Sequence, residues 1–246
     1  RGLGDVYKRQ QLLVMLHGFI SDSTTYDSHI EQLSQHVNVL TIDLPGHGKD
    51  TSDMNDTWDF PYIAHALDEV LSQYDMYDVY LLGYSMGGRV ALYYALNGSV
   101  ALRGLLLEST SAGIQSEADK VERVQVDAAR AKVLEIAGLE IFVNDWEKLP
   151  LFRSQYELDA EVRKAIRANR MSQNPVRLAK ALRDYGTGNM PNLWPHVSSL
   201  SVRTLILTGE KDEKFVQIGQ KLKEEIPNSH TCLLYTSDAA DERSSV

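Results

Sequence analysis

One segment constrains the fold of this chain more than any other. The apolar run Val79 to Leu82 leads straight into Gly83-Tyr84-Ser85-Met86-Gly87-Gly88, and a helical pattern follows from Val90 to Leu96. A strand, a G-x-S-x-G turn and a helix in that order put the serine on a sharp bend with its hydroxyl exposed. Glycines on both sides relieve the crowding of such a bend. The first N–H groups of the helix then point toward any negative charge that develops beside the serine. A glycine-rich packing turn could share the pentapeptide; the flanking strand and helix favour an activated nucleophile.

The rest of the chain supplies a sheet around this turn. Leu12 to Leu16 reads as a buried strand ending at His17-Gly18-Phe19, and Val37 to Ile42 as a second ending at Asp43-Leu44-Pro45-Gly46-His47-Gly48. A polar loop and short helix lie between them. Tyr62 to Tyr74 has helical spacing, and Leu105 to Leu107 and Val202 to Thr208 read as further strands. Alternating strands and helices predict an α/β fold, a mostly parallel sheet with helices on both faces. From about Ser116 to Leu182 the pattern is charged and helical, so residues 113–195 are read as a helical lid inserted between core segments 11–112 and 196–231. Gly46-His47-Gly48-Lys49 is no phosphate loop, because Asp43 stands where its first glycine would be.

Charge narrows the function. With 25 basic and 34 acidic side chains the net charge is −9, which argues against nucleic-acid or anionic-membrane surfaces. No apolar run reaches the roughly 18 residues of a membrane span and no signal peptide is visible, so the expected location is cytoplasmic. A single cysteine excludes a disulfide scaffold and a cysteine-rich metal site.

The two ends carry a different signal. Asp5-Val6-Tyr7-Lys8-Arg9-Gln10 can be encoded by GAT GTG TAT AAG AGA CAG. Its reverse complement, CTGTCTCTTATACACATC, read from the second base, encodes Cys-Leu-Leu-Tyr-Thr and the start of Ser, the peptide at Cys232 to Ser237. Unrelated termini are not expected to encode the two strands of one oligonucleotide, and the string resembles a transposon end used in sequencing libraries. Residues 1–10 and 232–246 are therefore read as translated adapter. On that reading the last strand and helix of the core are missing.

Further residues fit a site at the strand ends. His17-Gly18-Phe19 suits a second oxyanion-binding loop, with N–H donors from Phe19 and Met86. Asp212 lies just past a strand end, where an acid can orient a histidine; a solvated loop carboxylate is the plainer alternative. Arg89, one helical turn after Ser85, is a permanent cation beside the nucleophile and suits a carboxylate substrate better than a neutral ester. Its plainer role is a surface arginine with its stem packed on the helix.

These features resemble the α/β-hydrolase fold. GYSMGGR (Gly83 to Arg89), DWEKLPLF (Asp145 to Phe152), RMSQNP (Arg170 to Pro175) and GEKDEKF (Gly209 to Phe215) further resemble the 2-succinyl-6-hydroxy-2,4-cyclohexadiene-1-carboxylate synthases of menaquinone (vitamin K2) biosynthesis. The likeness spans nearly all of residues 11–231. It implies a lyase that eliminates pyruvate from 2-succinyl-5-enolpyruvyl-6-hydroxy-3-cyclohexene-1-carboxylate, with no metal or organic cofactor and a small polycarboxylate as its substrate. Of the lid arginines Arg163, Arg167 and Arg170, spaced i, i+4, i+7, it carries over Arg170 alone as an anion binder. Tyr84, Trp146 and Phe152 are expected to line the substrate pocket, although each could simply pack. A serine carboxylesterase or C–C bond hydrolase is the rival activity, which fold alone does not separate.

The resemblance also implies a Ser–Asp–His triad whose histidine follows Asp212 and a final strand. His17, His29, His36, His47, His65 and His196 precede Asp212, and His230 is read as lying before that strand. The catalytic histidine is thus expected beyond Thr231, and the chain as written is expected to be nearly inactive, since loss of a triad member costs about 10⁴–10⁶ in rate. Sequencing the source DNA outward from residues 20–220 tests this. The expected result is a native continuation past Thr231 with a Gly-His segment after one more strand; an unbroken coding of the printed tail overturns it.

Overall fold

The computed structural model describes residues 9–234, without the side chains of residues 151 and 153. Residues 1–8 and 235–246, which belong to the two segments read from the sequence as adapter, lie outside the described residues. Six strands form one parallel sheet in the order β2-β1-β3-β4-β5-β6: β1 (Gln10–Leu16), β2 (Asn38–Ile42), β3 (Tyr77–Tyr84), β4 (Gly104–Glu108), β5 (Arg203–Gly209) and β6 (Ser229–Leu234). The chain runs outward from β1 to β2, then crosses back to β3 and continues the other way. This reversal opens a crevice beyond the carboxyl ends of β1 and β3, where open α/β sheets place ligands.

Side chains alternate across the sheet as period two requires. On one face Leu13 and Met15 pack with Val39, Leu82, and Leu33 of α1 (Asp27–Ser34). On the other, Val14, Leu16, Leu81, Leu105 and Ile206 pack against α2 (Phe60–Leu71), α3 (Met86–Asn97) and α8 (Glu213–Glu225) through Ile63, Leu67, Val90 and Leu222. Asp59 caps α2 by accepting from the Tyr62 N–H at 2.9 Å, with Pro61 in the first turn.

Between β4 and β5 the chain is helical: α4 (Glu117–Ile136), α5 (Leu139–Trp146), a 3₁₀ segment (Pro150–Glu157), α6 (Ala160–Met171) and α7 (Pro175–Tyr185). These helices have their own small core, in which Ala131, Leu134, Phe142, Leu178 and Leu182 close over Ile20 and Phe19 of the loop after β1. The sequence expected the core strands and helices up to β5 in this order, with strand bounds within two residues, while α3 begins four residues before its predicted start and α2 ends three residues before its predicted end. One difference concerns the edge. Cys232, Leu233 and Leu234, read from the sequence as adapter, complete β6, where Cys232 is level with Leu207. An apolar Cys-Leu-Leu suits a strand whatever its origin, because the open edge of β5 offers unpaired backbone groups. His230 accordingly lies within β6 rather than before it.

α3 meets β1 at one point. A Cβ built on Gly87 would fall inside contact distance of the Leu16 carbonyl oxygen and 2.6 Å from that of His17. Both obstacles are backbone, which cannot rotate away. Gly87→Ala is expected to cost about 3 kcal/mol, the upper range for overpacking, read as a lowered urea midpoint; an unchanged midpoint would show that the elbow can yield.

Candidate active site

The bend after β3 is strained. Ser85 has φ 52° and ψ −108°, outside the regions non-glycine residues favour, and Ile20 after β1 and Ser109 after β4 also have positive φ. Three hydrogen bonds hold Ser85: its N–H donates to the Glu108 carbonyl at 2.8 Å, and its carbonyl accepts from the Arg89 N–H at 3.1 Å and the Thr110 hydroxyl at 2.8 Å. A serine kept in an unfavourable conformation by its neighbours is a sign of function rather than of packing.

A cavity of about 990 Å³ opens above the sheet at this point, between the strand ends and the helical segment. Ser85, Tyr84, Met86, Arg89 and Phe19 line its floor, and Trp146, Phe152 and Arg170 its helical side. Met86 opens α3, so its N–H is one of the donors that a helix leaves without an internal partner. Gly18 lets the loop lie flat against Tyr84, since a Cβ there would be 2.9 Å from the ring. Phe19 is held edge-on by Phe142 at 6.2 Å and Trp146 at 5.3 Å.

The electrostatics are one-sided. Burial, and then the neighbouring Arg123, push the Arg89 guanidinium down to about 10, so it remains a cation at neutral pH. Its Nε is buried with no hydrogen-bond partner among the described residues. Arg123 and Arg130 of α4 also line the cavity and share Asp127, at 2.9 and 3.9 Å. Asp127 in turn accepts from the Gly188 N–H at 3.1 Å. Arg130 lies over the Trp146 ring at 5.2 Å, where the indole face favours a cation. Sequence reasoning missed Arg123 and Arg130; their signal was the i, i+4, i+7 spacing around Asp127, visible only once that acid is known to be buried.

Two predicted residues are placed less simply. Arg170 reaches the cavity but is paired with Glu147 at 3.0 Å and Gln155 at 2.9 Å, over the Phe152 ring at 4.8 Å. Asp212 sits past β5 and is absent from the cavity wall; its carboxylate caps α8 by accepting from the Phe215 N–H at 3.2 Å. Among the described residues no histidine bonds Asp212 or lines the cavity.

The histidines nearest the site are committed elsewhere. His17 Nε2 accepts from the Leu44 N–H at 2.9 Å, which leaves Nδ1 to donate to the Gly18 carbonyl at 2.7 Å. Burial holds its pKa below the usual histidine value. His47, 5.1 Å from the His17 ring, is pushed down to about 3 by burial and then by His17. His230 is exposed and level with Leu205, Leu106 and Leu82. Three strand spacings and three residues of rise put it roughly 17 Å from Ser85.

A strained serine beside orphan N–H donors, in a cavity lined by more cations than carboxylates, can bind a polyanion and stabilise an oxyanion on it. This chain belongs to the alpha/beta hydrolase family, which matches residues 13–242. It is similar to MenH from S. aureus, at 55% identity and a TM-score of 0.93 over 98% of this chain and 92% of that one. It is also 34% identical over 210 residues to the 2-succinyl-6-hydroxy-2,4-cyclohexadiene-1-carboxylate synthase of Salmonella agona (strain SL483), covering 85% of this chain and 81% of the relative. A thermophilic esterase from Thermogutta terrifontis, solved with malate bound, aligns with a TM-score of 0.79 at 25% identity, over 92% of this chain and 81% of that one.

The histidine environments set a pH dependence. An unfolded histidine titrates near 6.5, whereas folded His47 stays neutral down to about 3. Acidification therefore protonates the unfolded chain first, and stability is lost as pH falls from 6.5 toward 3. At pH 4.5 His47 alone accounts for a loss of about 3 kcal/mol. Denaturant titrations should show this slope reduced in His47→Gln; the same slope in both proteins would refute the assignment.

Proposed function

We propose that this chain is a 2-succinyl-6-hydroxy-2,4-cyclohexadiene-1-carboxylate synthase, a lyase that eliminates pyruvate from 2-succinyl-5-enolpyruvyl-6-hydroxy-3-cyclohexene-1-carboxylate. The observation that carries the reading is the cluster of Arg89, Arg123 and Arg130 facing the Ser85 cavity, whose wall holds more cations than carboxylates: Asp127 pairs with Arg123 and Arg130, and Asp27 and Glu108 are the acids of the lining. Such a surplus of positive charge on a cavity wall suits a substrate with several carboxylates and is a poor fit for a neutral ester. The substrate is a small molecule, and nucleic acid has no place in this reading.

In this mechanism Ser85 acts as a base and takes the ring proton next to the succinyl ketone. The C–H electrons move into a dienolate whose oxygen faces the N–H groups of Phe19 and Met86. Each such donor is commonly worth about 3 kcal/mol when charge develops. Collapse of the dienolate forms the second ring double bond and breaks the ring carbon–oxygen bond, so pyruvate leaves as its enolate and is protonated. Arg89 and Arg170 hold carboxylates, while Tyr84, Trp146 and Phe152 enclose the ring. For Arg170 this requires the substrate to take over its bond from Glu147.

Asp212 would orient the histidine that activates Ser85, with its second oxygen free while the first caps α8. In this reading that histidine comes from native sequence beyond Thr231, as the adapter interpretation of the C-terminal residues expects. The hydrolase alternative differs in one step: Ser85 attacks a carbonyl carbon and forms an acyl-enzyme.

Arg89→Ala separates the two. On protein expressed from its full native reading frame, pyruvate release should fall about 100-fold in kcat/KM, or ~3 kcal/mol. Hydrolysis of an uncharged aryl ester should change only a few-fold. Pyruvate release unaffected by Arg89→Ala would remove the carboxylate role, and burst kinetics on the ester with no pyruvate release would favour the hydrolase.

A further inference from the structure

A second cavity, of about 310 Å³, lies on the outer side of the helical segment. It is separated from the Ser85 cavity by a thin wall, because Phe152, Gln155, Ile166 and Arg170 line both. Its own lining adds Arg163, Lys164 and Arg167 against a single carboxylate, Glu147. The stripe of arginines at i, i+4, i+7 along α6 thus faces a concavity instead of covering open surface.

Glu147 is overcommitted there. Its Oε2 accepts from Arg167 at 2.6 Å and its Oε1 from Arg170 at 3.0 Å, so one negative charge serves two guanidinium groups. Arg163 is exposed and has no ion pair among the described residues. Lys164 is drawn outward to Glu161 at 2.7 Å. The arrangement holds two net positive charges from Arg163, Arg167, Arg170 and Glu147, in a pocket with an aromatic wall from Phe152 and Tyr156.

We propose that this outer pocket is a second anion site, a vestibule that binds one carboxylate of the incoming polycarboxylate on Arg163 and Arg167. Glu147 is its resident counter-ion. When the ligand's carboxylate takes Arg167 and displaces Glu147 from both arginines, Arg170 is left without its acid and turns its charge to the inner cavity. The wall residue that closes the two cavities from each other is then the one that passes the anion between them. The identity of the ligand rests on the proposed synthase reading; the existence of a carboxylate site does not.

The test uses succinate as the probe and needs no turnover. Arg89→Ala protein, in which the inner cluster is weakened, is titrated while the arginine Nε–Hε resonances are followed by NMR, with sodium chloride at matched ionic strength as control. Saturable shifts at Arg163 and Arg167 with one common millimolar midpoint are expected. Arg163→Ala should weaken that midpoint about fivefold, the loss of one charge-assisted contact, and Glu147→Gln should strengthen it by removing the competing carboxylate. Shifts that chloride reproduces, or that are absent in Arg89→Ala but present in the parent chain, overturn the proposal. A weaker midpoint in Glu147→Gln also overturns it, since Glu147 would then be shaping the site rather than occupying it. If the protein expressed from its full native reading frame with Arg89 intact binds succinate in this way but releases no pyruvate, the synthase reading is refuted and the vestibule stands.

Discussion

The approach of α3 to the end of β1 is the contact on which the site depends. Gly87 lets the helix backbone come within touching distance of the Leu16 and His17 carbonyls. That brings the Met86 N–H and the Phe19 loop to the same place, although they lie far apart in sequence. The strained backbone of Ser85 is a consequence: the chain must leave β3 and enter α3 without room for an ordinary turn. Hydrogen bonds from Ser85 N–H to Glu108 and from Thr110 to the Ser85 carbonyl hold it there, as strain at a functional residue requires.

The same region is rigid on its other side. His17 is tied at both ring nitrogens, between the Leu44 N–H and the Gly18 carbonyl. Asp22 of the same loop accepts from Gln173 at 2.8 Å and Asn169 at 2.8 Å, and Gln173 also accepts from the Gly48 N–H at 2.9 Å. The junction between α6 and α7 is therefore bolted to the loops after β1 and β2. Preorganised donors are effective because they do not reorganise when charge appears, and this network supplies that stiffness around Phe19.

Two arginine clusters serve the cavities in different ways. Arg123 and Arg130 share Asp127, which is buried and anchored by the Gly188 N–H, so this set is permanent. Arg167 and Arg170 share Glu147, which is only partly buried and has no comparable backbone anchor among the hydrogen bonds of the described residues. Desolvation makes the first cluster costly to leave without an anion. The second already carries one that a ligand can compete with. Under the proposed function the inner set holds substrate, and the outer set can exchange its partner.

Much of this was legible from residues alone. The strands, the elbow, the positions of Ser85, Met86, Phe19 and Arg89, and the helical character of the segment before β5 follow from local rules: period two, period 3.6, and glycine where a turn is tight. Those rules act over a few residues, so a linear reading captures them. It missed Arg123 and Arg130, because their meaning depends on Asp127 being buried beneath them. It carried Arg170 as a free anion binder, because nothing in the sequence says that Glu147, twenty-three positions earlier, has reached it first. Only the folded chain decides which charges are balanced, since ion pairs form between elements whose distance in space is unrelated to their separation in sequence.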